Sequence, residues 1–301
     1  MKRINRKEFF EKAFAGIAAI KLSARKIVNP VQENSGLKQI GKTGIMVSPV
    51  CFGAPRTNDE SLIKYAIDKG INFIDTGRAY GNGNNEKLVG RAVEGRRKSI
   101  IIQSKIRLEE NELSSKSGRK RASEIKDALS LKLDASLKAL NSDYIDILLY
   151  HDAIDEKLLF HEETMKFFAD KKKSGVIKAH GFSVHNDFMN LPERNNSEVF
   201  YNVIMVPFNH KGSFIHSVSG NYSEWDQSKL IQILKDANSK GIGVIAMKTC
   251  SGGKYSASSG SEPDFREAVQ WVLKHDFINS ANVAMANFEQ VDEYFPLLKT
   301  N

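Results

Sequence analysis

The stretch Ile71-Asn72-Phe73-Ile74-Asp75-Thr76-Gly77-Arg78-Ala79-Tyr80-Gly81 reads as a short buried strand that ends in a carboxylate, a turn and a tyrosine. Ile71, Phe73 and Ile74 are its apolar, β-prone part, and Asp75 is the first charge after them. The same grammar recurs twice. Ser99-Ile100-Ile101-Ile102-Gln103-Ser104 stops at Lys105, and Tyr144-Ile145-Asp146-Ile147-Leu148-Leu149-Tyr150 stops at His151. Ionisable groups at the C-terminal ends of successive strands, with helical sequence between, are where a barrel of alternating strands and helices puts its chemistry.

Working outward, the alternation continues along the chain. Val50-Cys51-Phe52-Gly53 is strand-like, and residues 59–69 have helical periodicity, with Leu62, Ile63, Ala66 and Ile67 on one face. Helices are expected over 85–94, 122–140, 158–173, 227–240, 263–275 and 288–298, with a short, weak one before the sixth strand. Further strands are expected over 176–184, 199–208, 242–247 and 281–286. Eight strand–helix units in 301 residues predict an α/β fold, a (β/α)8 TIM barrel. Leu37-Lys38-Gln39-Ile40 and Ile45-Met46-Val47 flank Gly41-Lys42-Thr43-Gly44, a hairpin signal placed to close the bottom of that barrel.

The formal charge of +8 is unevenly spread. Residues 1–26 hold eight basic residues against Glu8 and Glu11, which accounts for six of those charges. The remainder is close to neutral and does not resemble a nucleic-acid surface. The basic start runs into a weakly apolar segment of about ten residues, too short to span a bilayer. Asn5-Arg6-Lys7-Glu8-Phe9-Phe10 resembles a twin-arginine export motif, with Lys7 where the second arginine is expected. Residues 1–36 therefore read as a leader and linker, and 37–301 as the barrel. The leader is either a twin-arginine-like signal to the periplasm or a helix that stays in the cytoplasm. Cys51 and Cys250 lack any zinc-ligand spacing and read as buried thiols. Lys116, Arg119, Lys120 and Arg121 form a second basic cluster that reads either as a solvated loop and helix start or as a surface that meets an anionic ligand.

Asp75, Tyr80, Lys105 and His151 suit proton delivery to an oxygen. A phenol with an ordinary pKa of about 10 is a poor acid at neutral pH, and a nearby ammonium such as Lys105 would lower it. Asp75 would keep Lys105 protonated, and His151 would hydrogen-bond a bound carbonyl oxygen. No nucleophile or metal set is evident, so a hydride or electron source must come from elsewhere.

Asp75-Thr76-x-x-x-Tyr80-Gly81-x-Gly83-x-x-Glu86, followed by Lys105 and His151, resembles the signature of the aldo-keto reductases. The resemblance covers residues 37–299. It implies a barrel that reduces an aldehyde or ketone with NADP(H) or NAD(H), with Tyr80 as general acid, Lys105 and Asp75 tuning it, and His151 orienting the carbonyl. It also implies cofactor contacts from Ser183, Phe208, Asn209, Lys248 and Asn287. Phe208 stands for a ring that stacks on nicotinamide, Lys248 for the loop over the pyrophosphate, and Asn287 for the loop that holds the adenosine. Val184 and Met205 depart from the family pattern, as does Ala284, where a glycine is usual. No Arg or Lys lies between Met285 and Tyr294 to pair a 2′-phosphate. Glu289 would suit the free ribose hydroxyl of NADH.

Two other readings accompany the reductase: a non-catalytic dinucleotide-binding redox sensor, and a lyase in which Lys105 forms a Schiff base. The expected partner is a small-molecule carbonyl compound, with no nucleic acid and no integral membrane span. Substrate selection is expected from the loops 107–120, 209–224 and 249–262, with Tyr222 and Trp225 reaching the substrate. His180, His185, His210, His216 and His275 read as surface or loop residues.

Overall fold

The computed structural model describes residues 36–108, 122–153, 156–216, 219–258 and 262–299. The leader and the cluster at Lys116, Arg119, Lys120 and Arg121 lie outside the described residues. Eight parallel strands close into a barrel: β3 (Val50–Gly53), β4 (Phe73–Asp75), β5 (Ile101–Ile106), β6 (Ile145–Tyr150), β7 (Ile177–Ser183), β8 (Val203–Pro207), β11 (Gly243–Met247) and β12 (Ser280–Ala284). The last strand pairs with the first, Ala281 opposite Val50 and Ala284 opposite Gly53. The eight-strand reading of the sequence holds, and most boundaries lie within two residues of those expected.

A two-stranded hairpin, β1 (Lys38–Gln39) and β2 (Met46–Val47), precedes the barrel. Ile40, Ile45 and Val47 share a core with Ile147, Leu149, Ala179, Val203 and Ile245, so the hairpin plugs the barrel interior. Lys42 N–H donates to the Gly241 carbonyl at 2.8 Å, and Asn279 donates to the Gln39 carbonyl at 2.8 Å. A side chain at Gly41 would come within 2.4 Å of the Gly241 oxygen, which keeps that approach open only to glycine.

Period-two alternation sorts each strand into two cores. Phe73, Ile147, Leu149, Val203, Met205 and Ile245 face the barrel interior. Ile74, Ile102, Leu148, Ile204, Val206 and Val244 face the helix layer instead. By the same parity Asp75 follows Phe73 inward, and Gln103 and Lys105 point the same way from β5. Several helices begin on side-chain caps: Asp59 accepts from Ser61 N–H, Asp226 from Lys229 N–H and Asp264 from Glu267 N–H. Such a cap is worth about 1 kcal/mol.

The span 209–224 is more than a loop. It contains a ribbon, β9 (Ser213–Ile215) paired antiparallel with β10 (Tyr222–Glu224). Among the described residues no helix is long and apolar enough to cross a membrane.

Candidate active site

The C-terminal ends of the strands surround a cleft of about 860 Å³. Asp75, Tyr80, Lys105 and His151 all line it. Lys105 Nζ lies 2.5 Å from Asp75 Oδ1 and donates to the Thr76 carbonyl at 2.8 Å. It reaches the Tyr80 hydroxyl at 3.4 Å. The Tyr80 and His151 rings meet edge to face, 5.4 Å apart between centroids.

Asp75 has two further partners. Gln103 Nε2 donates to Oδ1 at 2.6 Å, and Asn282 Nδ2 donates to Oδ2 at 3.1 Å. Neither Gln103 nor Asn282 was expected from the sequence. Gln103 carried a signal, because it precedes Lys105 by two residues and so shares its face. Asn282 carried one as well, as the lone amide between Ala281 and Val283 in an apolar strand.

Burial alone would pull the Lys105 ammonium down, but the Asp75 carboxylate and the Tyr80 oxygen outweigh it and leave its pKa raised. Tyr80 behaves differently from the sequence expectation. Burial pushes its phenol above the ordinary value, and the adjacent Lys105 charge opposes this without cancelling it. His151 is held down to about 3, chiefly by burial, with the Lys105 and Arg107 charges adding to it. Its imidazole is therefore neutral at physiological pH. Its Nδ1 is buried without a protein hydrogen-bond partner.

The loop that presents Tyr80 is tied down on both sides. Thr76 N–H and Arg78 N–H donate to the Gln103 and Lys105 carbonyls, each at 2.9 Å. Thr76 Oγ1 donates to Asn85 Oδ1 at 2.7 Å, and Asn85 in turn donates to the Ala54 carbonyl.

The residues expected to hold a dinucleotide divide between the cleft and its surroundings. Ser183 and Lys248 line the cleft. Asn209 is fully buried and does not line it; its amide donates to the Lys248 carbonyl at 3.1 Å and the Ser213 carbonyl at 2.9 Å. That bond helps hold Lys248 in its left-handed backbone conformation, φ +56°. Asn287 caps the helix Phe288–Tyr294, accepting from Gln290 N–H at 3.0 Å. Phe208 is turned away from the cleft. Its ring packs 5.4 Å from Trp271, 5.0 Å from His275 and 5.8 Å from Phe277. Strand parity is the reason: Met205 faces inward, so the residue three places later faces outward. Met205 and Met247 supply the apolar cleft surface there.

Other expectations also shift. Trp225 is buried against Phe188 and Phe214, and its Nε1 donates to Gln227. Tyr222 is exposed, and its cross-strand partner Ile215 is the residue that lines the cleft. His180 is buried among Phe168, Phe200 and Tyr201. His185 and His216 line the cleft.

The donor set fits a nicotinamide dinucleotide. Arg56 and Lys248 line the cleft close enough that the Arg56 charge helps lower Lys248, after burial. Among the described residues no carboxylate forms an ion pair with either. Two such cations suit a pyrophosphate. Asn282 Oδ1, buried and without a partner, offers an acceptor on the same wall.

The fold and the Asp–Lys–Tyr–His set gathered in its strand-end cleft define an oxidoreductase barrel. The aldo/keto reductase family model matches residues 52–294, and the chain belongs to that family. It is 30% identical over 151 residues to the oxidoreductase YqkF of Bacillus subtilis, covering 48% of each chain. It is 26% identical to the L-galactose dehydrogenase of Arabidopsis thaliana, over 85% of this chain and 86% of that one. The match to YqkF thus spans about half of that protein. Among solved structures, the holo form of a Bacillus halodurans aldo-keto reductase superposes with a TM-score of 0.68 at 22% identity, covering 88% of this chain and 91% of that one. A Klebsiella pneumoniae aldo/keto reductase in complex with NADP and acetate gives 0.64 at 19% identity, covering 88% and 90%.

Proposed function

We propose that this protein reduces an aldehyde or ketone to an alcohol with NADPH or NADH, with Tyr80 as the general acid. The observation that carries this reading is the chain of contacts from Asp75 through Lys105 to the Tyr80 hydroxyl, at 2.5 and 3.4 Å, with His151 beside it.

A bound dinucleotide would supply a hydride, and Arg56 and Lys248 would hold its phosphates, with Ser183, Met205 and Met247 lining the cleft beside its other parts. The chain's own residues handle the oxygen. Tyr80 donates its proton to the carbonyl oxygen as negative charge develops there. The phenolate left behind sits next to the Lys105 ammonium, which stabilises it at the moment it forms. Lys105 stays charged because Asp75 shares its buried site, and Asp75 is fixed by Gln103 and Asn282. His151, neutral, contributes a ring N–H to the same oxygen without competing as an acid. A single well-placed donor of this kind is worth about 2.7–4 kcal/mol of barrier.

The Schiff-base reading is disfavoured by the same contacts. A nucleophilic lysine must be neutral, and Lys105 is held as an ammonium by Asp75. The sensor reading shares the dinucleotide and lacks the turnover.

Calorimetric titration of the full chain with NADPH and with NADH tests the proposal. Micromolar or tighter binding of either, followed by dinucleotide oxidation on adding an aldehyde, is the expected result. Failure to bind both overturns it. Binding of one without turnover on any carbonyl transfers the case to the sensor reading. The stronger of the two ligands decides how far the absence of Arg or Lys between Met285 and Tyr294 matters.

A further inference from the structure

Gln103 and Asn282 carry a cost that packing alone does not explain. They stand on β5 and β12 and reach Asp75 from the two sides of β4. Gln103 is fully buried, and its Oε1 has no hydrogen-bond partner among the described residues. Asn282 Oδ1 is buried and unpartnered in the same way. A buried amide oxygen left unpaired costs free energy, and an apolar side chain of similar size avoids that cost. Each amide is turned so that its nitrogen, rather than its oxygen, meets the carboxylate. Gln103 Nε2 is 2.6 Å from Asp75 Oδ1, and Asn282 Nδ2 is 3.1 Å from Oδ2.

The hydrogen bonds around the Asp75–Lys105 pair bear on where its proton sits. The Lys105 ammonium has three N–H groups and three acceptors: Asp75 Oδ1 at 2.5 Å, the Thr76 carbonyl at 2.8 Å and the Tyr80 hydroxyl at 3.4 Å. Every hydrogen-bonding neighbour of the Asp75 carboxylate among the described residues is a donor. In a site this dry the proton has a second place to go. On Asp75 it would leave a neutral acid and a neutral amine, with no charge to desolvate. That transfer would turn two charge-assisted amide contacts into ordinary ones, about half as strong. Each amide thus tilts the distribution toward the ion pair by about tenfold.

We propose that Gln103 and Asn282 are positioning residues that keep this shared proton on Lys105. Tyr80 then always faces an ammonium, and the lysine is closed to imine formation with the aldehydes that enter the cleft. This rests on the reductase reading and deepens it by naming what fixes the charge beside the acid.

Reductive alkylation of the full chain with propanal and cyanoborohydride, without dinucleotide, is the test. A neutral Lys105 amine adds to the aldehyde carbon and loses water to give an imine. A proton from water and the hydride of cyanoborohydride then fix it as a propylamine. Peptide mass mapping reads propylation at Lys105 relative to the exposed Lys173. Gln103→Met should raise it about tenfold over the parent, and Gln103→Met with Asn282→Leu about 100-fold. The double variant should also reduce an aldehyde at least about tenfold more slowly than the parent, and Gln103→Met alone should do so less, because one amide still holds the proton. Gln103 does not line the cleft, so Gln103→Met should bind dinucleotide as the parent does. Asn282→Leu alone serves if the double variant is poorly folded. Equal propylation in the parent and the double variant overturns the inference. So does an equal rise in Ile147→Val, which loosens the packing beside Gln103 and keeps both amides, or a double variant that reduces aldehyde at the parent rate. A parent that turns over no aldehyde overturns the reductase reading instead, and propylation then judges the two amides separately.

Discussion

Lys105 and Asp75 form an ion pair 2.5 Å long in which both side chains are nearly sealed from solvent, at 2% and 1% exposure. Two opposite charges at that depth lose most of their hydration, and their mutual attraction offsets that loss only while both are present. The pair therefore contributes little net stability, yet removing one member is costly. The Tyr80 hydroxyl lies 3.4 Å from the ammonium of this pair.

Asp75→Asn is accordingly expected to cost about 3–5 kcal/mol in urea denaturation, because it leaves the Lys105 charge buried without a counter-ion. The double variant Asp75→Leu with Lys105→Met should recover much of that stability, since two packed apolar side chains need no hydration, and it should show no turnover. A single variant as stable as the parent would show that the ammonium is not confined as described.

Acid should destabilise the protein through its buried histidines. His151 and His180 are both held near pKa 3, against 6.5 for an exposed imidazole, with burial the main cause in each. The unfolded chain binds more protons between those values. Their contribution is thus fully present above about pH 6.5 and is lost as pH falls toward 3. At about pH 5 each costs roughly 2 kcal/mol relative to neutral pH. His180→Phe, placed among Phe168, Phe200 and Tyr201, should remove about half of the combined loss between those two pH values. An unchanged pH dependence of the urea midpoint would count against a buried, neutral His180.

The turn that carries Tyr80 is held by Arg78. Its guanidinium donates to the Ala135 and Asn82 carbonyls, each at 3.0 Å, and pairs with Glu86 Oε2 at 2.9 Å. Glu86 Oε1 in turn accepts from Ser104 Oγ at 2.6 Å, on the residue before Lys105. Arg78 occupies the space above Gly83, where an added Cβ would fall 0.7 Å from Nη2, at φ +82°. Gly83→Ala should therefore displace the clamp and cost about 1–3 kcal/mol. Arg78→Lys should lower kcat about tenfold through a misplaced Tyr80. Dinucleotide affinity, measured by fluorescence titration, should hold in Arg78→Lys, and a parallel loss of affinity would mean that Arg78 acts on the cofactor side instead.

Arg56→Gln and Lys248→Gln should each weaken dinucleotide binding by about tenfold at low salt, consistent with losing one charge-assisted contact. The deficit should shrink as salt rises, because both side chains are partly exposed and therefore screened. Salt-independent affinity in the parent would remove the phosphates from this wall.

How much of this was legible in the sequence depends on whether it follows from strand order or from closure. The strand ends at Asp75, Lys105 and His151 could be read because period-two alternation and strand–helix alternation are local patterns. Gln103 follows from the same parity. Asn282 does not, since it reaches Asp75 across 207 residues and only when β12 closes onto β3. For Phe208 the family resemblance implies a stacking surface, while parity from Met205 places its ring in the helix-side core against Trp271. The setting of His185 and His216 depends on barrel curvature and on the β9–β10 ribbon, which the polar stretch 209–224 does not announce. The direction of the Tyr80 shift depends on how deep the cleft is, and burial depth is not written in the neighbouring residues.

The most direct test of the account is a single-turnover measurement of dinucleotide oxidation by Tyr80→Phe with an aldehyde that the parent reduces. Dinucleotide binding should stay close to that of the parent, and the reduction rate should fall by at least about 10²-fold, the usual contribution of a positioned general acid. Reduction at the parent rate would contradict it, and would assign the proton to another group in the cleft.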